Sequence, residues 1–463
     1  MIDVIAAVSA VACVACVVLL VLSMRKDVVS PWILFLLMSI FDIFLPAGLT
    51  AAGFDWAAGG MDTRWAVDWV APTARLMLGR AVLIAIVATM LFGLGYSVGG
   101  RLRMTKRAPY RFYRRRAWLI LVMGVAGYLA FLLSQVAVHG SFAQLIDYSV
   151  ANRFAGAAPE NGQVLLAVSL DIYLLEVVTL IFFVQARSRT SRFIWFLCGL
   201  IVASLRLFRG SVLVYLIAIA VLEQETVQRI RHRVLRSLKE REARRRVYAL
   251  LAIGVGLFIG YGMVRNVLTA HSSRRDMSFS DSMLIEMDRV VRGEGLVGLA
   301  SILDFYPRHA GFFHGKTIRD MLLLPVPRAI WKSKPAWYGI DDITRGMGWP
   351  QSTESPVTMP GELYANFGYA GILLMFVYGV IFGAFANLAY NARLRLLYAL
   401  FLLPAMLTTF WMGFTGFVNS LVAVPIGILA LFLVLRPVRF VTVRAVPREI
   451  TLGSPAYPFG GVS

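Results

Sequence analysis

Long, almost unbroken apolar runs decide what this chain can fold into. Residues 2–23 hold one charged side chain, Asp3, and residues 81–98 hold none. A run of about 20 apolar residues crosses a bilayer as a helix. In hydrocarbon every backbone polar group must pair internally, which a helix does alone. Hydrophobic residues make up 59% of the 463, against roughly half in a soluble domain. The expected fold is an all-α polytopic membrane protein.

The runs mark about 11 transmembrane helices (10–12). They cover residues 2–23, 30–50, 76–98, 117–138, 164–186, 193–207, 211–222, 247–264, 363–389, 396–412 and 420–436. The first has no basic segment before it, so it reads as a retained helix rather than a cleaved signal. Four regions follow: an N-terminal bundle over 1–264, a large loop over 265–362, C-terminal helices over 363–436 and a tail over 437–463.

The net charge of +20 admits nucleic acid, anionic lipid or a phosphate-bearing substrate as its cause. Placement decides. Of the 46 basic residues, 28 lie in five segments beside apolar runs and in the tail. Those segments are 25–26, 101–116, 187–192, 229–246 and 393–395. This is the positive-inside pattern, so membrane lipids are partners and nucleic acid needs no place. The alternation puts the N-terminus outside and the C-terminus in the cytoplasm. The stretch 223–246 reads as a solvated helix on anionic lipid.

Residues 193–222 have basic segments at both ends, so two crossings must share about 30 residues. Two short or tilted helices meeting around Leu207 to Gly210 fit. A single long helix reverses everything after it. The loop over 265–362 differs from the inner loops in carrying 12 basic and 11 acidic residues. At about a hundred residues it far exceeds a connector. Ser280-Asp281-Ser282 is a helix start, Leu284, Met287 and Val291 repeat at helical spacing, and Gly293 is a stop. An amphipathic helix at the outer interface is expected there. Prolines from 325 to 360 exclude long helices, and Pro360 suits the first turn of the next one.

No metal site is expected, since the five histidines make no H-E-x-x-H. Cys13-x-x-Cys16 lies inside an apolar helix and reads as packing. Gly93, Gly95 and Gly99 read as helix-packing glycines. No cofactor is implied.

Arginine stands at unusual places. Arg206 and Arg209 break an apolar stretch, as snorkelling side chains at a turn or as a bidentate clamp for phosphate or carboxylate. Arg289 and Arg292 share a helix face, although Asp288 can pair with Arg292. Arg265 stands where the eighth helix leaves the membrane. Arg328, Lys332 and Lys334 surround Trp331 and suit either a lipid-linked anion or a headgroup anchor. Glu362 and Asn366, with Tyr364 between them, fall at a helix start. Glu362 is either a favourable charge at that start or a general base, with Asp304 and Glu294 as competitors. Asp42, Asp171 and Glu176 are the main charges inside spans.

Leu323-Leu-Pro-Val-Pro-Arg-Ala-Ile-Trp-Lys-Ser-Lys-Pro335 and Pro360-Gly-Glu-Leu-Tyr-Ala-Asn-Phe-Gly-Tyr-Ala-Gly371 now read together, with Arg209-Gly210 between short helices. The chain resembles the Wzy-type O-antigen and oligosaccharide repeat-unit polymerases of bacteria. The motifs cover about a tenth of the chain, and the helix layout extends the likeness over most of it. The resemblance implies a metal-independent glycosyltransferase acting on undecaprenyl-diphosphate-linked oligosaccharide at the periplasmic face, with a flippase and a chain-length regulator as partners. It implies Glu362 as base, with Arg328, Arg289 and Arg292 beside it. Arg209, Arg265, Arg206 and Lys334 then bind the diphosphate, with Tyr364 and Asn366 in support. An O-antigen ligase needs the same arginines. A transporter of lipid-linked sugar is the rival from another class.

Overall fold

The computed structural model describes residues 2–24, 30–52, 72–101, 114–139, 162–204, 209–223, 293–323, 339–347, 357–390, 395 and 398–422. Among them there is helix and no strand. Among the described residues four helices are long and apolar enough to cross a membrane: Val4–Ser23, Pro31–Ala51, Leu76–Gly99 and Tyr369–Ala386. The expected helices over 247–264 and 280–293, the stretch 224–246 and the tail lie outside the described residues.

The first seven helices follow the apolar runs closely. They are α1 (Ile2–Met24), α2 (Pro31–Ala51), α3 (Pro72–Gly99), α4 (Arg114–His139), α5 (Gly162–Gln185), α6 (Arg189–Ser204) and α7 (Arg209–Leu222). Ser30 caps α2 by accepting a hydrogen bond from the Ile33 amide at 3.3 Å, with Pro31 in the first turn. A π-helical turn, Ser39–Phe44, interrupts α2 and contains Asp42. Cys13 and Cys16 are free thiols within α1, as the packing reading expects.

Among the described residues, the most extensive helix packing joins α3 to a helix far along the chain, α12 (Tyr369–Ala386). Small residues make it possible. A Cβ at Gly95 would overlap the Phe376 carbonyl, and one at Gly99 the Val380 carbonyl. In return, Gly379 faces the Phe92 carbonyl and Gly383 that of Tyr96. Two Gly-x-x-x-Gly faces therefore cross backbone to backbone. The pairs rise together in number, so α3 and α12 run parallel. Arg101 and the basic 393–395 segment consequently follow helices that run the same way, as the charge alternation requires. Gly93 packs against Trp32. All three glycines thus act in packing.

The crowded stretch 193–222 divides as the charge pattern demands. The α6 and α7 helices lie side by side, and the start of α6 meets the end of α7 through an Arg192–Glu223 ion pair at 3.2 Å. This is a helical hairpin and not one long helix. Its arms of 16 and 14 residues reach about 24 and 21 Å, short of a hydrocarbon core of about 30 Å. The pair is partly exposed, so Arg192→Ala is expected to cost less than about 1 kcal/mol. Thermal unfolding in detergent checks this, and a large loss would show that the pair holds the hairpin closed.

The large loop departs most from expectation. Gly293 does not simply end a helix: it stands at the N-terminus of α8 (Glu294–Phe305). The hydropathy pattern predicts no helix there. Its apolar residues, Leu296, Leu299, Ile302 and Leu303 among them, are buried. The α8 helix packs on α3 and on the π turn of α2. The Gly295 amide donates to Asp42 Oδ1 at 3.1 Å. Asp42 thus has a structural role, because it satisfies a free amide at a buried helix start. Short helices follow, as the prolines predict: α9 (Lys316–Leu322), α10 (Ile340–Gly346) and α11 (Met359–Phe367). A π turn, Tyr398–Leu402, leads into α13 (Leu403–Val422).

Candidate functional site

The Pro360 to Gly371 motif forms α11 and the start of α12. Thr358 caps α11 by accepting from the Gly361 amide at 3.3 Å, and Pro360 fills the first turn. Gly368 ends the helix at φ 61°, ψ −149°, a region essentially reserved for glycine. The turn is sharp: a Cβ at Gly371 would overlap the Leu363 carbonyl, eight residues back. Breaking a helix orphans its last carbonyls. Here the loop supplies donors, with Phe313 N–H to the Ala365 carbonyl at 3.0 Å and His314 N–H to that of Asn366 at 2.9 Å. The Tyr364 hydroxyl donates to the Tyr306 carbonyl at 3.3 Å.

An equivalent break interrupts α13. Gly413 has φ 56°, ψ −152°, nearly the angles of Gly368. A Cβ at Gly416 would overlap the Thr408 carbonyl, again eight residues back. The sequences share a pattern of glycine, aromatic, small residue, glycine: Gly368-Tyr-Ala-Gly371 and Gly413-Phe-Thr-Gly416. Residues 396–412 end where the hydropathy ends them, while the following helical residues begin at 414 rather than 420.

Glu362 joins the two breaks. Its side chain is enclosed, with the residue 1% exposed. Oε2 accepts the Phe414 amide, which the break at Gly413 leaves without a helical partner. Oε1 accepts the Thr317 hydroxyl of α9 at 3.1 Å. Asn366 Nδ2 donates to Thr317 Oγ1 at 2.7 Å and to the Glu362 carbonyl at 2.8 Å. Asn366 Oδ1 is buried and accepts no hydrogen bond. The carboxylate therefore clasps α11, α9 and the second half of α13. It faces Thr317 and an amide, and no cation pairs with it among the described residues.

Around this clasp α9 and α10 are tied together by charge. Lys316 pairs with Asp342 and, at 3.4 Å, with Asp320, which also accepts from Arg319. The Ile340 amide donates to Thr415 Oγ1 at 3.0 Å, fastening α10 to the turn at Gly413.

Burial pushes the Glu362 carboxyl up to about 7, against the opposing pull of the Phe414 amide and the Thr317 hydroxyl. The folded chain then holds a proton that the unfolded chain has released. Stability from this group is full below the ordinary value of 4.5 and is lost as pH rises through about 7. The wild type should lose on the order of a few kcal/mol over that window, and Glu362→Gln should not. Unfolding measured from pH 4.5 to 7.5 checks this; parallel profiles for the two proteins would show that the carboxyl does not titrate there.

Of the residues expected at the site, the structure brings Glu362 and Asn366 into one network, while Tyr364, on the same helix, donates to the Tyr306 carbonyl instead. Arg209 is the first residue of α7. Arg206, Arg265, Arg289, Arg292, Arg328 and Lys334 lie outside the described residues. The competing carboxylates stand apart from the clasp: Asp304 pairs with Arg308 at 3.0 Å on the surface, and Glu294 is exposed at the start of α8. Sequence reasoning missed Thr317, Gly413 and the Phe414 amide. The repeated glycine pattern was the signal for the last two; nothing local marked Thr317. No group of residues suited to a metal ion occurs among the described residues. No family model, curated protein or solved structure matches this chain.

Proposed function

We propose that this chain polymerises undecaprenyl-diphosphate-linked oligosaccharide repeat units at the periplasmic face of a bacterial inner membrane. In this reading about 11 helices span the bilayer. The N-terminus is periplasmic, the C-terminus is cytoplasmic, and 265–362 forms the periplasmic segment over the site. The polymer is an O-antigen, capsule or exopolysaccharide, and a flippase and a chain-length regulator are the expected partners.

One observation carries the reading. The residues of the Pro360 to Gly371 motif meet in one junction around a buried carboxylate, and the basic segments are tethered to that junction. Arg292 immediately precedes Gly293, at the N-terminus of α8, which packs on α11. Arg328 and Lys334 lie in the 15-residue interval 324–338, between α9 and α10. Both of those helices are fastened to the clasp.

The chemistry is a substitution at the sugar anomeric carbon. The bond from that carbon to the diphosphate oxygen breaks, and the diphosphate leaves with the electron pair. The acceptor hydroxyl oxygen forms the new bond, and its proton passes to a base. Arginines stabilise the charge growing on the diphosphate. Glu362 is the proposed base, with the Thr317 hydroxyl occupying the place from which a proton reaches Oε1.

Purified protein given lipid-linked repeat units tests the reading. A polymerase releases free undecaprenyl diphosphate and lengthens the lipid-linked chain. A ligase releases it only when lipid A core is present, and a transporter releases none. In cells, Arg328→Ala and Glu362→Gln proteins should insert normally and leave single repeat units. Polymer of normal length from both variants would remove the proposed roles.

A further inference from the structure

The exposed side chains of α3 form a stripe of Leu76, Leu83, Val87, Met90 and Leu94. Spacings of three and four residues put these on one helix face. Such a face suits lipid. Arg80 lies in that stripe, four residues into the span that begins at Leu76. It is partly buried and has no ion-pair partner among the described residues. Arg308, in contrast, is paired with Asp304. An arginine within an apolar face, unneutralised, is costly unless it meets an anion.

The helix that carries Arg80 also meets the motif. The α3 helix packs on α8, α11 and α12. Tyr369 is 60% exposed and stands edge-on to Tyr364, with ring centroids 5.2 Å apart. Below it, Leu373, Val377 and Ile381 carry an exposed apolar stripe along α12, beside that of α3.

We propose that Arg80 anchors the diphosphate of a polyprenyl-linked substrate, and that the adjacent apolar faces of α3 and α12 seat its hydrocarbon. This rests on the polymerase reading for its substrate class and adds a binding residue that the motifs do not contain. The exposed Tyr369 ring then offers a stacking surface to the first sugar.

The test uses full-length protein in phosphatidylcholine nanodiscs and a fluorescent polyprenyl diphosphate, read by anisotropy. Wild type should bind saturably. Arg80→Gln should bind roughly tenfold more weakly or worse, and Arg80→Lys should recover part of the loss. Unfolding temperatures should match, because Arg80 holds no ion-pair partner among the described residues. Equal binding by wild type and Arg80→Gln would overturn the proposal, as would no binding by wild type. Displacement by phosphatidylglycerol as effective as by unlabelled undecaprenyl diphosphate would reduce Arg80 to a general headgroup anchor. Displacement by inorganic pyrophosphate at equal concentration would remove the apolar seat. A polymerisation assay on the same protein separates the two readings. Loss of binding in Arg80→Gln supports this site even if wild type makes no polymer, and a polymerising Arg80→Gln protein with intact binding removes it alone.

Discussion

A Gly413→Ala chain is expected to lose about 2–6 kcal/mol of stability and to accumulate poorly in the membrane. Two costs combine. The backbone angles at Gly413, φ 56° and ψ −152°, cost a residue with a Cβ roughly 1–3 kcal/mol. That Cβ would also overlap Glu362 Oε2, forcing the carboxylate off the Phe414 amide. A buried amide left unpaired costs about 1–3 kcal/mol more. A double-mutant cycle with Glu362→Ala separates the costs. Truncating Glu362 removes the overlap with its carboxylate, whereas the backbone strain and the 2.9 Å crowding against the Glu362 Cβ stay. Additive losses would show that the carboxylate and Gly413 do not interact, and the clasp would fail as a description of this site.

Gly95→Leu is expected to be as damaging, for a different reason. The α3 and α12 backbones touch where a leucine needs volume, and neither helix can step aside without opening the faces at Gly99, Gly379 and Gly383. Overpacking costs typically about 1–3 kcal/mol where side chains can yield. Here the obstacle is a carbonyl, so the loss should exceed that range. Gly95→Ala, with one added carbon, should cost less but remain measurable. Unfolding in detergent of all three proteins gives the order. A leucine variant as stable as wild type would mean that the two helices do not cross in contact.

These two sites show what sequence makes legible. The α3 glycines are readable as packing residues because their spacing on an apolar helix has a physical meaning by itself. The partner face on α12 is not, since nothing local says which helices meet. The division of 193–222 follows from charge, because basic segments at both ends permit only an even number of crossings. Pro360 and Glu362 announce a helix start. Gly368 looks like an ordinary span glycine and Gly413 like part of a connector, and only the folded backbone reveals their shared angles. The α8 helix is hidden inside a loop, ahead of the proline-rich stretch and just past the expected amphipathic helix. Its twelve residues are too few to register as a span, and its burial depends on Asp42, roughly 250 positions earlier. Contacts of that range carry no periodicity.

The pairing of α3 with α12 also bears on how the protein is made. About 280 residues separate Gly95 from Phe376, and at roughly 5–20 residues per second a ribosome needs some 14–56 s to cover them. Throughout that interval the glycine face of α3 sits in the membrane without its partner, and the Asp42 carboxylate waits for the Gly295 amide. Nascent chains stalled before residue 386 should therefore present a bundle open along one seam. Crosslinking from position 95 to insertion factors should persist until α12 emerges and then vanish.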